Sequence, residues 1–438
     1  MLLVGAALAS VRVVEPRAGS AQGSGAPIAA ANLALAKVSP AARRDVNYAQ
    51  LDERIKRLVE KPGVVGVAVG IVENGRITFL NGYGETLAGS GERVTPETVF
   101  RWASVSKGVA GTMVAKLAEQ GKVDLNGPLV TYAPGLKLPN GGEYRTTVLD
   151  LLSHRSGLPK HAFDNKLEEG QPVPMLKAQL ATVGLSCSPG TCWSYQNVAY
   201  DGASDIVAKA TGKTYQDTVR EQLFGPIGMT SATMTRDGLM SARSWARPHS
   251  AGRRPLEVTE PYYDVPAAGG VNSNIKDLAL WLIAQTGGMP AVLSPKVLAT
   301  AHQPLVKTPG ERARLRKFLE RIGDAYYGLG WRSYNYAGHT IVGHRGGVNG
   351  YRSLILFDPQ LKSGVVALWN SNTNQPGGLE FEVMDMLYHL PFRDWLELNK
   401  AGAPPQPAAE MPEEQMTVDV AQGKPASGPA GGGVARGR

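Results

Sequence analysis

Cysteine is almost absent from the 438-residue chain: Cys187 and Cys192 are the only two, in Cys187-Ser188-Pro189-Gly190-Thr191-Cys192. Two thiols are too few for a convincing metal site. The Pro-Gly turn can bring them within bonding distance, so a local disulfide is expected in an exported protein and free thiols in a cytosolic one. Histidine is also scarce, with seven in all, and His161, His249, His302, His339 and His389 show no ligand-like spacing. No metal and no cofactor is therefore expected. No Gly-x-Ser-x-Gly is present, which argues against the nucleophile elbow of α/β-hydrolases. Ala210-Thr211-Gly212-Lys213-Thr214 resembles the end of a phosphate-binding loop, but Val207 stands where its first glycine belongs, and nucleotide binding is rejected. Long hydrophobic runs are missing too. The apolar start, Met1 to Ser10, is too short to span a bilayer. It is similar to a signal-peptide core ending in Ala-x-Ala, with no basic residue before it.

Charge of one sign is not segregated. The formal net charge is +8, but the densest basic run, Glu311 to Arg321, is interleaved with glutamates and reads as a solvated amphipathic helix. No nucleic-acid partner is expected. Hydrophobic content of 43% and charged content of 19% suit a soluble globular protein with a substantial core. Residues 1–45 read as a leader or linker, and residues 396–438, dominated by Pro, Ala, Gly, Glu and Gln, as a disordered tail. A periplasmic or secreted location is expected, with the cytoplasm as the alternative. No transmembrane anchor is expected.

Between these ends, residues 46–395 read as one catalytic domain. Leu51, Ile55, Leu58 and Val59 fall at helical spacing within 46–61. Val64 to Val72, the turn Glu73-Asn74-Gly75 and Arg76 to Leu80 predict a β-hairpin. A mostly helical portion follows over about 105–265, including Thr147 to Leu152 and Gly202 to Ala210. Strand character returns at Thr340 to His344, Tyr351 to Phe357 and Gly364 to Trp369, before a closing helix around Glu380 to Leu390.

At the first junction lies Ser104-Val105-Ser106-Lys107, opening a helical run that ends before Gly121. Residues i and i+3 share a helix face, so the hydroxyl and the amine can lie side by side. A serine hydroxyl becomes a good nucleophile only when a neighbouring base takes its proton, and a desolvated lysine can do so. A second Ser-x-x-Lys, Ser273 to Lys276, reads as an N-cap serine followed by a solvated lysine. Two further stretches complete the pattern: Tyr195-Gln196-Asn197 and His344-Arg345-Gly346-Gly347.

Together with Leu151 to Pro159, Phe224 to Met229 and Ala268-Gly269-Gly270, these three motifs in this order resemble the serine β-lactamase and penicillin-recognising family. The class C-like branch, with its DD-peptidases, D-aminopeptidases and family VIII esterases, is the better match, because Tyr195 replaces the serine of the class A Ser-Asp-Asn motif. The resemblance covers about residues 50–390. It implies a β-lactamase/transpeptidase-like α/β (α+β) fold, an antiparallel sheet flanked by helices, and a helical domain across a cleft. It also implies that Ser104 forms an acyl-enzyme, that Lys107 holds its proton network, and that Tyr195 acts as general acid and base. A phenol titrates near 10, so that role requires a lowered pKa, for which Lys107 is the physical means. Asn197, His344, Gly346 and Gly347 fall on the substrate side, with the N–H groups of Ser104 and Gly347 as the oxyanion hole. Gly346 is expected to let substrate approach the strand edge. His154 is expected to be structural. Specificity would lie in the loops around the cleft, Lys160 to Pro174, Arg236 to Val265 and Lys307 to Asp324.

One departure separates this chain from the β-lactamases: His344 stands where they most often carry lysine. Residues 344 and 346 share a strand face, so Arg345 should point away. Histidine is mostly neutral at pH 7. The expected activity is therefore ester, amide or D-amino-acid peptide hydrolysis, with a class C-like β-lactamase and a penicillin-binding module of poor turnover as alternatives. The partner is a small-molecule or peptide substrate with an acyl bond.

Overall fold

The structure, a computed structural model, describes residues 45–399. The expected leader or linker over residues 1–45 lies outside the described residues up to residue 44, and the expected tail over 396–438 from residue 400. Ten strands are present among them: β1 (Gly66–Glu73), β2 (Arg76–Gly84), β3 (Phe100–Arg101), β4 (Asn272–Ser273), β5 (Val306–Lys307), β6 (Ile322–Tyr327), β7 (Arg332–Tyr336), β8 (His339–Val348), β9 (Tyr351–Asp358) and β10 (Ser363–Trp369). Eight form one antiparallel sheet in the order β2-β1-β10-β9-β8-β7-β6-β5, and β3 pairs separately with β4.

The hairpin forms where the turn signal stood. Asn74 and Gly75 both take positive φ, 51° and 72°, as a tight primed turn requires. The hairpin then docks on the last strand, with Val67 opposite Trp369 and Val72 opposite Gly364. This closure joins the two ends of the domain. The central strands are apolar on both faces because both faces are covered. Val67, Val69 and Ile71 of β1 pack with helices Tyr48–Val59 and Leu379–Leu387, whereas Ala68 and Val72 join the larger core shared with the helical portion. β10 divides by the same period of two: Val365, Ala367 and Trp369 go to the first core, Val366 and Leu368 to the second.

Helix Ser106–Glu119 runs through the larger core, with all residues from Ser106 to Ala115 buried. Helices Val148–Leu152 and Gly202–Thr211 form close to where periodicity placed them. The first is fixed by a reciprocal capping box between Thr147 and Asp150.

Four local expectations are corrected. Ser273 is not a helix cap: it lies in β4, and Asn274 caps helix Ile275–Gln285 by accepting the Asp277 N–H. The Glu311 to Arg321 run is not one solvated helix. A short helix, Pro309–Arg314, breaks into a 3₁₀ turn at Arg316–Phe318, and Glu311 is buried against Arg332 and Arg314. Lys307 to Asp324 is not a continuous loop, since β5 ends at Lys307 and β6 begins at Ile322. Finally, packing continues past residue 395: Leu396 is buried, and its N–H bonds the Glu382 carboxylate. Among the described residues, no helix is long and apolar enough to cross a membrane.

Candidate active site

Ser104 occupies a 3₁₀ turn, Ala103–Val105, immediately before helix Ser106–Glu119. Ala103 adopts a φ of 47°, a conformation rare for a residue with a Cβ, and the surroundings hold it there. Trp102 is tied on every side. Its N–H donates to the Val271 carbonyl (2.8 Å), its indole N–H to Ser273 Oγ (2.8 Å), and its carbonyl accepts from the Ser353 hydroxyl on β9. Ser106 Oγ accepts the Val271 N–H at 3.0 Å. Ser104 is therefore presented from a rigid turn, buried to 8% exposure.

Lys107, one helical turn on, is fully buried. Its ammonium reaches Ser104 Oγ at 3.4 Å, Asn197 Oδ1 at 2.6 Å and the Ala268 carbonyl at 3.0 Å. It also lies 4.6 Å from the centroid of the Tyr195 ring. Serine, tyrosine and asparagine, from two distant stretches, thus converge on one lysine amine. Asn197 extends the network outward: its Nδ2 donates to Asp164 Oδ2 (2.6 Å), which also bonds His161 Nδ1 (2.6 Å). Both Asp164 and His161 lie in the segment expected to shape specificity, and neither was singled out for the site by sequence.

The tyrosine is held from behind by the Leu151 to His161 segment. The Ser194 N–H donates to the His154 carbonyl (2.8 Å), the Gln196 N–H to His154 Nδ1 (3.2 Å), and the His161 N–H to the Tyr195 carbonyl (2.9 Å). The His154 ring centroid is 4.4 Å from that of Tyr195. Burial holds the His154 imidazole far below the usual histidine range, and the nearby Lys107 and Arg332 cations act in the same direction. His154 remains structural in the sense that it does not reach Ser104, but it adjoins the site. Cys187 and Cys192 form a disulfide, with Cα atoms 6.3 Å apart. Gly190 N–H and Ser186 N–H bond the Arg155 and Gly157 carbonyls, so the bridged loop is sewn to the same segment before it delivers Tyr195.

β8 forms the opposite wall. His344 and Gly346 face the site, whereas Arg345 turns to the other face of the sheet and pairs with Glu380. His344 is buried, its Nδ1 2.6 Å from the Arg345 carbonyl and its Nε2 3.1 Å from Tyr327 Oη. Gly346 was expected to leave room for substrate. The space that a Cβ there would need is occupied by protein: the Trp102 carbonyl, Ser353 Oγ, and Ser104 N at 3.0 Å. The glycine is required because β8 itself lies against the Ser104 turn. Gly347 follows it on the strand, opposite Arg352.

The Beta-lactamase family model matches residues 51–385. Among curated proteins, the chain is similar to the unguisins hydrolase ungD' of Aspergillus campestris, 28% identical over 356 residues, covering 77% of this chain and 64% of that protein. It is also similar to Protein flp of Staphylococcus aureus, 26% identical over 330 residues, covering 74% and 63%. The chain thus spans a little under two-thirds of the length of these relatives. A solved structure titled the octameric penicillin-binding protein homologue from Pyrococcus abyssi superposes with a TM-score of 0.70 at 23% identity, over 79% of this chain and 78% of that one. This is a likeness of fold, and it agrees with the β-lactamase/transpeptidase-like architecture expected from the motifs. With a family match that runs through all three motifs, the chain belongs to the Beta-lactamase family.

Proposed function

We propose that the protein is a serine hydrolase that works through an acyl-enzyme at Ser104, on an ester, amide or D-amino-acid peptide bond. The observation that carries this reading is the convergence on Lys107 Nζ of Ser104 Oγ, Asn197 Oδ1 and the Ala268 carbonyl beneath the Tyr195 ring. In this reading Ser104 Oγ attacks the acyl carbon while its proton passes into the Lys107–Tyr195 pair. The N–H groups of Ser104 and Gly347 stabilise the developing oxyanion. Tyr195 returns the proton to the leaving group and then takes one from the water that releases the acyl group. Asn197 orients Lys107 through its anchored amide.

An esterase, amidase or peptidase is preferred to a β-lactamase because His344 replaces the lysine that offers a permanent cation. The Aspergillus relative, named a hydrolase, supports the reaction type, and the disulfide supports a periplasmic or secreted location. The test is intact mass after incubation with a fluorescent penicillin, beside turnover of nitrocefin and a short-chain p-nitrophenyl ester. The expected result is an adduct on Ser104 with ester turnover, both lost in Ser104→Ala. Activity retained by Ser104→Ala would overturn the assignment. Fast nitrocefin turnover would put the β-lactamase first.

A further inference from the structure

A line of four hydrogen bonds runs behind the site, from the tyrosine segment to β8. The Gln196 N–H meets His154 Nδ1 at 3.2 Å, and His154 Nε2 meets Tyr327 Oη at 3.2 Å. Tyr327 Oη meets His344 Nε2 at 3.1 Å, and His344 Nδ1 meets the Arg345 carbonyl at 2.6 Å. Both ends fix the direction of the line. A backbone N–H can only donate, so His154 Nδ1 is an acceptor and the His154 proton sits on Nε2. A backbone carbonyl can only accept, so His344 carries a proton on Nδ1. Between them, Tyr327 accepts from His154 and has one O–H to give, which points to His344 Nε2. Every bond is then satisfied when both imidazoles are neutral.

The opposite arrangement, a doubly protonated His344, would place a third cation in a buried region that already holds Lys107 and Arg332. All three oppose a charge on His154. The charged and titratable groups facing this line include Lys107, Arg332, His161, Tyr195 and Tyr200.

We propose that His154 and Tyr327 are positioning residues that hold His344 as its neutral Nδ1–H tautomer, so that the β8 wall of the cleft offers the substrate no cation. The consequence for chemistry rests on the acyl-enzyme reading above: the site takes acyl compounds that do not carry a carboxylate on the leaving group. It also couples the two walls, because His154 holds the backbone on both sides of Tyr195 while its outer nitrogen orders β8.

The test uses the full chain with ¹⁵N-labelled histidine rings, the His344 resonances being identified by their loss in His344→Gln. In the wild type, His344 Nδ1 is expected to be protonated and Nε2 to resonate as an unprotonated acceptor. In Tyr327→Phe, which keeps the ring, Nε2 loses its donor and the His344 signals are expected to move toward a mixture of tautomers. Wild-type His344 protonated at Nε2, or unchanged by Tyr327→Phe, would overturn the proposal, and the wild-type spectrum decides even if the variant fails to fold. This readout needs no turnover, so absence of a Ser104 adduct would count against the hydrolase reading alone. For kinetics, phenylacetylglycine phenyl ester is compared with its meta-carboxyphenyl counterpart. The wild type is expected to favour the neutral ester in kcat/KM by roughly tenfold, the scale of desolvating a carboxylate at this wall with no partner to receive it, and Tyr327→Phe to narrow that preference. Equal use of both esters by the wild type would overturn the specificity.

Discussion

Gly346→Ala isolates the contact that brings β8 to the Ser104 turn. The added methyl would overlap the Trp102 carbonyl and Ser353 Oγ and stand 3.0 Å from Ser104 N. Two of these three atoms are backbone and belong to a turn pinned by Val271 and Ser273, so they cannot swing aside. Ser353 Oγ can rotate, but only by giving up its hydrogen bond to the Trp102 carbonyl. Overpacking of this kind costs about 1–3 kcal/mol, and the lost buried hydrogen bond adds about 1 kcal/mol. A destabilisation of about 2–4 kcal/mol is expected. Relief of the overlap must move β8 away from Ser104, and a misplacement on the 1 Å scale costs about 100-fold in rate. The assay pairs urea unfolding with the rate of Ser104 acylation by a fluorescent penicillin or an activated ester. Gly135→Ala is the control, since a Cβ at that exposed glycine meets nothing within 4 Å. If Gly346→Ala stays within about 0.5 kcal/mol of the wild type, as an unconstrained surface change would, and acylates at the same rate, the tight approach of β8 is refuted.

Three further outcomes follow from the same geometry. Replacing both Cys187 and Cys192 by serine, or reducing the bridge, should cost about 2 kcal/mol for a loop this short on the chain-entropy account. Urea melts with and without reductant test this, and no shift would mean that the loop is held by its bonds to Arg155 and Gly157 alone. Asn197→Ala removes the 2.6 Å acceptor of Lys107 and one donor to Asp164. A loss of about 1.5–3 kcal/mol in stability is expected, together with slower acylation, and unchanged acylation would remove Asn197 from the lysine network. His154 is neutral in the fold because burial depresses its pKa, whereas the unfolded residue titrates near 6.5. Its contribution to stability is therefore complete above about pH 6.5 and is lost as pH falls below that value, by up to about 1.4 kcal/mol per pH unit. Unfolding free energies from pH 7.5 to 5 should fall less steeply in His154→Gln by one proton. Parallel slopes would show that His154 does not bind that proton on unfolding.

What the sequence discloses depends on how far apart the interacting residues lie along the chain. Ser104 and Lys107 are three residues apart, so a helical turn alone brings them together, and the hairpin at Asn74-Gly75 is equally local. The order of the three motifs carried the rest of the family identity. His154 was visible as a residue but not as a neighbour of the site, because its partners Gln196 and Tyr327 lie 42 and 173 positions away. Tyr327 stands in a strand whose ladder is interrupted between Ile322 and Ala325, and that break obscures any clean alternation from which β6 could be read. A better signal lay in the next strand, where Tyr334 and Tyr336 are buried on either side of exposed Asn335. The same limit explains Gly346. A glycine on a strand marks a close approach, and sequence cannot say whether the approaching group is substrate or protein. Here it is the turn that carries Ser104, so the residue most easily assigned to substrate binding is first a condition for placing Ser104 against β8. On the same face of the strand, two positions before Gly346, His344 has both ring nitrogens engaged within the protein.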